Sequence, residues 1–405
     1  MKNCLLIFWC MAFWLGSSAT VYAGFSFIHN VDVVKIPIEV QHNIILIPVR
    51  VNGSFEMNFI LDTGVRTTIL TEPMVAGFLA LDTLETISVK GLGAGNTIQA
   101  ALARDVSMEL PGLKGHGINL IILPEGVISY SGIFGKPVYG IIGFEVFRQF
   151  VVEINYQQKY VKLYNPFKYK PHRKSTAIPI ELKKSKPYVT AALTDHAGNR
   201  VQSQWLVDTG ASQAVSLFDD DLPLPEPSVE AYLGMGLNGS VFGKLGRVRE
   251  FSLGEFRFYD VIAGYPEASS ISVIDTMDVW YGNLGAEIIS RFHVAFDYTR
   301  GYMYLRKNSL YKNDFFYNIS GLELVTLGNN YDQYIISYVR PNSPAEEAGI
   351  EVNDQIVGIN GFTAEQLDID ELYGTLSRQN GKVISLKLRR QEKIVKVKFR
   401  LLSEI

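Results

Sequence analysis

Apolar residues along the chain gather into short runs that end on small polar clusters, the pattern of strands closed by tight turns. Two of these runs stop at the same tripeptide. Phe59-Ile60-Leu61 leads into Asp62-Thr63-Gly64, and Trp205-Leu206-Val207 leads into Asp208-Thr209-Gly210. Each places an acid where a buried strand must turn sharply, which is unfavourable for a charge unless another group compensates it. Upstream, Ile36-Pro37-Ile38-Glu39 and Ile178-Pro179-Ile180-Glu181 each open an alternating, strand-like stretch. Downstream, Gly91-Leu92-Gly93 answers Gly234-Met235-Gly236, and Tyr139-Gly140-Ile141-Ile142-Gly143 answers Tyr281-Gly282-Asn283-Leu284-Gly285. The offset between copies runs only from 146 residues (Asp62 to Asp208) to 142 (Gly140 to Gly282). The pattern therefore predicts two duplicated lobes with small differences in loop length.

Within a lobe the predicted order is strand, Asp-Thr-Gly, glycine-rich hairpin, apolar pair plus Gly, short helix, strand. The helical stretches are Phe144 to Phe150 and Ala286 to Phe292, and each leads into one strand, Val151 to Tyr164 and His293 to Arg306. Residues 112 to 136, rich in Gly and Ile, predict a buried strand plus a loop near the cleft. Asn165 to Ser175, broken by Pro166 and Pro171, reads as the interlobe linker. After Arg306 a polar link, Lys307 to Asp314, leads to a third unit beginning near Phe315 and predicts that this unit is separable. There Ser343-Pro344-Ala345 starts a short helix with Ser as N-cap, Gly349 ends it, and Asn360-Gly361 is a hairpin turn. A second helix is expected over Asp368 to Ser377.

With 405 residues, 47% of them hydrophobic, the chain has room for two or three domains with real cores. A net charge of −3 argues against nucleic acid as the principal partner. Residues 1–23 read as a signal peptide: Lys2, an apolar run from Leu5 to Leu15, then Val21-Tyr22-Ala23. Export to the periplasm or beyond is the expectation, with an uncleaved anchor as the alternative and no later membrane-crossing segment. Cys4 and Cys10 both fall in that leader, so the exported chain would hold no disulfide. The chain has no Gly-x-x-x-x-Gly-Lys-Ser/Thr, no Gly-x-Ser-x-Gly and no His-Glu-x-x-His, and its six histidines are scattered. No metal or cofactor is expected.

A lone Asp-Thr-Gly should occur by chance about once in several thousand positions and reads as a plain turn. Two copies inside a longer repeat point instead to paired carboxylates sharing one proton. Over residues 31 to 308 the chain resembles the aspartic peptidases of the pepsin and retroviral type. The lobes look closer to the compact retroviral subunit, with one chain supplying both. The resemblance implies a mainly β fold, two duplicated retropepsin-like lobes of the closed-barrel type, ahead of an α+β unit. It also implies that Asp62 and Asp208 are catalytic and that Thr63 and Thr209 brace the opposite loops. Gly64 and Gly210 would let the backbone approach the carboxylates. Gly91, Leu92, Gly93 and Gly234, Met235, Gly236 would be flaps over a bound polypeptide, without the tyrosine of the pepsin flap. Val65 and Ala211 stand where the family usually has a Ser or Thr donor. Activity at about pH 5 to 7 is then expected, unless Thr67, Thr68 or Ser212 supplies the donor.

The third unit resembles a bacterial PDZ domain, with Asn353-Asp354 where the family usually has Gly-Asp. The resemblance implies that Ser320, Gly321, Leu322, Glu323 and Leu324 form a carboxylate loop, beside which the C-terminus of a partner adds as a strand. The expected divisions are 1–23 leader, 24–170 first lobe, 171–310 second lobe and 315–405 PDZ domain. The expected function is an exported aspartic endopeptidase, with a catalytically silent peptide-binding protein as the alternative.

Overall fold

The computed structural model describes residues 23–405 except 82–83, 94, 219–223, 272–280 and 378. The predicted leader, with Cys4 and Cys10, lies outside the described residues apart from Ala23. Among the described residues no helix is long and apolar enough to cross a membrane.

The chain is mainly β and closes two barrels of six strands each. In the first lobe the strands run Ile44–Val51, Met57–Leu61, Gly140–Ile142, Thr68–Leu70, Leu113–Ile122 and Ile98–Leu110, and the last pairs back onto the first. The second lobe repeats this circuit through Lys186–Thr194, Arg200–Asp208, Gly282–Gly285, Val215–Leu217, Phe256–Pro266 and Gly239–Leu253. Closure removes the free edges that an open sheet would leave. In each barrel the strand entering Asp-Thr-Gly has a neighbour on both sides, one of them the parallel strand from the repeated Tyr-Gly segment. Double coverage explains the unbroken apolar runs: Phe59, Leu61, Trp205 and Val207 are fully buried. It also explains the repeated glycine. A Cβ on Gly140 would lie 2.5 Å from the Phe59 ring, and one on Gly282 would lie 2.9 Å from the Trp205 ring.

A six-stranded sheet joins the lobes, ordered Thr176–Pro179, Tyr302–Lys307, Phe292–Asp297, Val151–Asn155, Tyr160–Tyr164, Val33–Pro37. Its centre is antiparallel, with Val152 opposite Phe296 and Asn155 opposite His293. The repeated Ile-Pro marks where each copy leaves this sheet for the edge of its own barrel, at Glu39–Gln41 and Glu181–Lys183. Proline fits a strand end because it cannot continue the ladder.

Three expectations need correction. The stretches Val151 to Tyr164 and His293 to Arg306 are hairpins rather than single strands, each doubling back over a four-residue turn. Lys159 and Gly301 take left-handed angles there, at φ 50° and 71°. The two helices are shorter than expected, Phe144–Phe147 and Ala286–Ile289, because the chain turns at once into the joining sheet. The link Lys307 to Asp314 is no free tether. Tyr311 packs edge-on to Phe292 at 5.6 Å, and the Arg291 guanidinium donates to the carbonyls of Asn313 and Asp314. A strand that the sequence did not announce, Gly24–Phe27, pairs with Leu113–Ile122.

In the third unit a sheet of Leu322–Leu327, Gln333–Val339, Gln355–Ile359, Val383–Arg390 and Lys393–Arg400 carries the helix Ile369–Ser377. The Ser343 hydroxyl accepts the Glu346 N–H at 3.3 Å as an N-cap, and Asn360 and Gly361 are both left-handed in their turn. This unit is docked on the barrels. The Thr326 hydroxyl donates to the Gly132 carbonyl at 2.8 Å, and Phe315 lies buried beneath the Arg291 guanidinium, 3.6 Å from its ring centre.

Candidate active site

The two Asp-Thr-Gly loops meet between the barrels. The Thr63 hydroxyl donates to the Val207 carbonyl at 2.6 Å and accepts the Thr209 N–H at 3.1 Å. The Thr209 hydroxyl mirrors it, donating to the Leu61 carbonyl at 2.9 Å and accepting the Thr63 N–H at 3.0 Å. Both threonines are fully buried, so the four bonds satisfy polar groups that would otherwise be costly inside. This lattice fixes Asp62 and Asp208 side by side: a Cβ on Gly64 would lie 3.1 Å from Asp62 Oδ1 and 3.3 Å from Asp208 Oδ1.

The glycines are required by contact. A Cβ on Gly210 would sit 2.6 Å from Asp62 Cγ, and one on Gly64 would sit 3.1 Å from Asp62 Oδ1. Behind the loops, Gly143 and Gly285 back directly onto the carbonyls of Asp62 and Gln213, which explains why each apolar pair ends in glycine.

The two carboxyls have unequal surroundings. Asp62 Oδ1 accepts the Gly64 N–H at 2.6 Å, and Asp208 Oδ1 accepts the Gly210 N–H at 3.0 Å. Asp208 also has a side-chain donor: the Asn283 amide reaches its Oδ2 at 2.8 Å. The first lobe places Ile141 at the matching position of the repeat. The donor missing at Val65 and Ala211 is therefore restored on one side only, by a residue outside the three hydroxyls considered from sequence. Thr68 Oγ1 is buried and has no hydrogen-bond partner among the described residues. Burial pushes the Asp62 carboxyl up to about 8, with the Asp208 charge second, and burial likewise raises Asp208. The Lys186 charge opposes the rise at both.

The hairpin tips of the two lobes touch each other. Asn238 N–H donates to the Leu92 carbonyl at 2.8 Å, and Gly95 N–H donates to the Asn238 carbonyl at 2.9 Å. Gly91, Leu92 and Gly93 thus face Gly236 and its neighbours directly. A Cβ on Gly91 would lie 2.6 Å from Leu237 Cβ, and one on Gly93 2.5 Å from the Asn238 carbonyl carbon. Gly93 and Gly234 are left-handed, at φ 122° and 127°.

Residues 47–146 match the family model described as aspartyl protease, and residues 335–390 match the PDZ domain model. The chain carries an aspartyl protease domain and a C-terminal PDZ domain. No curated protein matches the chain. Among solved structures it is similar to the photosystem II D1 C-terminal processing protease, at 19% identity over 21% of this chain and 23% of that one, with a TM-score of 0.20. The chain thus spans under a quarter of that structure, and the likeness carries no argument here.

In the protease domain a cavity of about 780 Å³ opens from Asp62 and Gly210. Its wall includes the apolar side chains of Ile44, Ile141 and Leu233. Tyr130 and Tyr232 also line it, and neither was singled out from sequence. The PDZ domain reaches the same cavity. Gly321, Glu323 and Leu324 of the loop read as carboxylate-binding line it, while Ser320 and Leu322 are buried behind. Two of that loop's amides are already occupied. Leu322 N–H donates to the Ser320 hydroxyl at 3.2 Å, and Leu324 N–H donates to the hydroxyl of Tyr373 on the groove helix at 2.8 Å.

Proposed function

We propose that the chain is an aspartic endopeptidase in which Asp62 and Asp208 activate one water for attack on a peptide carbonyl. The observation that carries this reading is the pair of adjacent, half-buried carboxyls braced by reciprocal threonine bonds at the mouth of a large cavity. Two acids in contact cannot both ionise at ordinary pH, so one proton is shared and one charge remains. The Asn283 donor favours the charge on Asp208. Asp208 then takes the proton of the water while protonated Asp62 donates to the scissile carbonyl oxygen, giving a tetrahedral intermediate without an enzyme adduct. Collapse returns a proton to the leaving amine and restores the starting state. The touching hairpins act as flaps that must part for a polypeptide to enter. Export rests on the leader read in the sequence.

The test is digestion of unfolded casein and short peptides by the intact chain, with and without pepstatin. Asp62→Asn and Asp208→Asn should each lower turnover to background, since the two acids act as one unit. Substantial residual cleavage in either variant overturns the mechanism. Peptide retention without any cleavage by the native chain would favour the silent binding protein.

A further inference from the structure

The cavity at the dyad does not end at the barrels. From Asp62 outward its wall passes Tyr130, whose hydroxyl feels Asp62 and Tyr232, and then Tyr232 on the flap strand of the second lobe, whose hydroxyl feels Glu323. Glu323 belongs to the PDZ domain, and its Oε2 accepts the Tyr373 hydroxyl at 3.0 Å. PDZ residues are thus part of the surface that a polypeptide lying in the cleft would touch. The docking is built in from several sides. Thr326 holds the Gly132 carbonyl of the first lobe, His42 Nδ1 lies 3.3 Å from Asp370, and Phe242 of the second-lobe flap packs on Tyr338 at 5.5 Å.

The charges on this shared wall are unevenly matched. Arg291 pairs with Glu287 and Arg340 with Glu404, while His42, whose burial lowers its pKa, contacts Asp370. Glu323 has hydroxyl and amide neighbours, and Arg340 is near enough to favour its charge, yet among the described residues no cation forms an ion pair with it. Burial accordingly pushes its carboxyl up to about 7. A carboxyl withdrawn from water is stabilised by neutralisation or by an opposite charge. Among the described residues Glu323 thus forms no ion pair, and its side chain lines the cavity.

We propose that the PDZ domain forms the outer wall of the dyad cleft and that Glu323, between Tyr232 and Tyr373, receives a lysine or arginine side chain of the bound polypeptide. This rests on the peptidase reading and names the substrate class it takes: apolar beside the scissile bond, where Ile44, Ile141 and Leu233 line the wall, and basic further out. A neutral side chain at the outer position leaves Glu323 without its ion pair, whereas a cation restores it, so the preference is one of electrostatic complementarity.

The experiment uses the full chain and a set of octapeptides of apolar background with lysine or norleucine at each position in turn. At one outer position lysine should raise kcat/KM by about tenfold over norleucine. Glu323→Gln should bring that ratio close to one, and Glu323→Lys should shift the preference to glutamate at the same position. The same labelled peptides are also bound to the Asp62→Asn chain and read by fluorescence anisotropy, which needs no turnover. A lysine preference in binding without cleavage by the native chain would sink the peptidase reading and keep the subsite. Cleavage with no lysine-preferring position, or an equal ratio in native chain and Glu323→Gln, overturns the subsite.

Discussion

Asn283 and Ile141 occupy the same slot in two copies of one motif, and only the asparagine can reach a carboxylate. A donor to the ionised form holds a pKa down. In Asn283→Ile the first ionisation of the pair should rise, so the acid limb of the kcat/KM profile should move upward by about one pH unit while the alkaline limb moves less. An unchanged acid limb would show that Asn283 only fills space. The residue was visible in the repeat as a polar side chain in an apolar position. What the sequence lacked was its direction, since a strand residue can face either side. The paired acids themselves were fully legible, because two copies of one spacing leave little to chance.

The same acids set a cost in stability. The Asp62 carboxyl is held up near 8 when folded, against an ordinary value near 4, and Glu323 is held up near 7. Between about pH 4 and pH 8 the folded chain therefore keeps protons that the unfolded chain releases, and stability falls as pH rises through that window. Asp62→Asn removes one such group. Its Tm should fall less steeply than that of the native chain between pH 4 and pH 8, by a few degrees across the range. Parallel curves from calorimetry would mean that the acid is not raised.

At the scale of the element, the hairpins show glycine serving contact as much as flexibility. Their glycine density announced two turns, and their equal place in the repeat announced a pair. Only the assembled fold reveals that Gly236 backs onto the Leu92 carbonyl and Gly91 onto Leu237, so that the tips can close without a gap. In Gly236→Ala the new methyl falls on that carbonyl and the tips must separate. Hydrolysis of a short peptide should lose tenfold or more in kcat/KM, a larger effect than any on the thermal midpoint. The hairpins of the joining sheet were misread for a related reason. In the first of them the turn, Tyr156 to Lys159, has no glycine or proline to interrupt the alternation, and Lys159 adopts the left-handed angle that Gly301 takes in the other copy.

For the whole molecule, the three units were legible one by one but their arrangement was not, because contacts between units leave no periodic trace in sequence. Phe315 beneath Arg291, Tyr311 against Phe292 and Thr326 on Gly132 tie the PDZ domain to both lobes. A chain ending at Asp314 would bare the Gly132 carbonyl, His42 and the Arg291 site. It should unfold at lower urea concentration than the full chain and hydrolyse even short peptides less efficiently. Full activity of that fragment on octapeptides would show that the docking is incidental to catalysis.

The joining sheet, with Val152 opposite Phe296 at its centre, bears on how the paired carboxyls answer to dilution. Where two separate subunits must meet, the fraction of assembled sites falls with concentration. Here a single polypeptide carries both halves, and the linker through Pro166 and Pro171 keeps each at a high effective concentration for the other. Assembly of the site is then a first-order event, and on the proposed peptidase function activity per molecule should stay constant at the lowest concentrations. The covalent tie also frees the halves from identity. Ile44 and Lys186 stand at equivalent places, as do Ile141 and Asn283, and a homodimer encoded by one repeat could not have drawn that distinction.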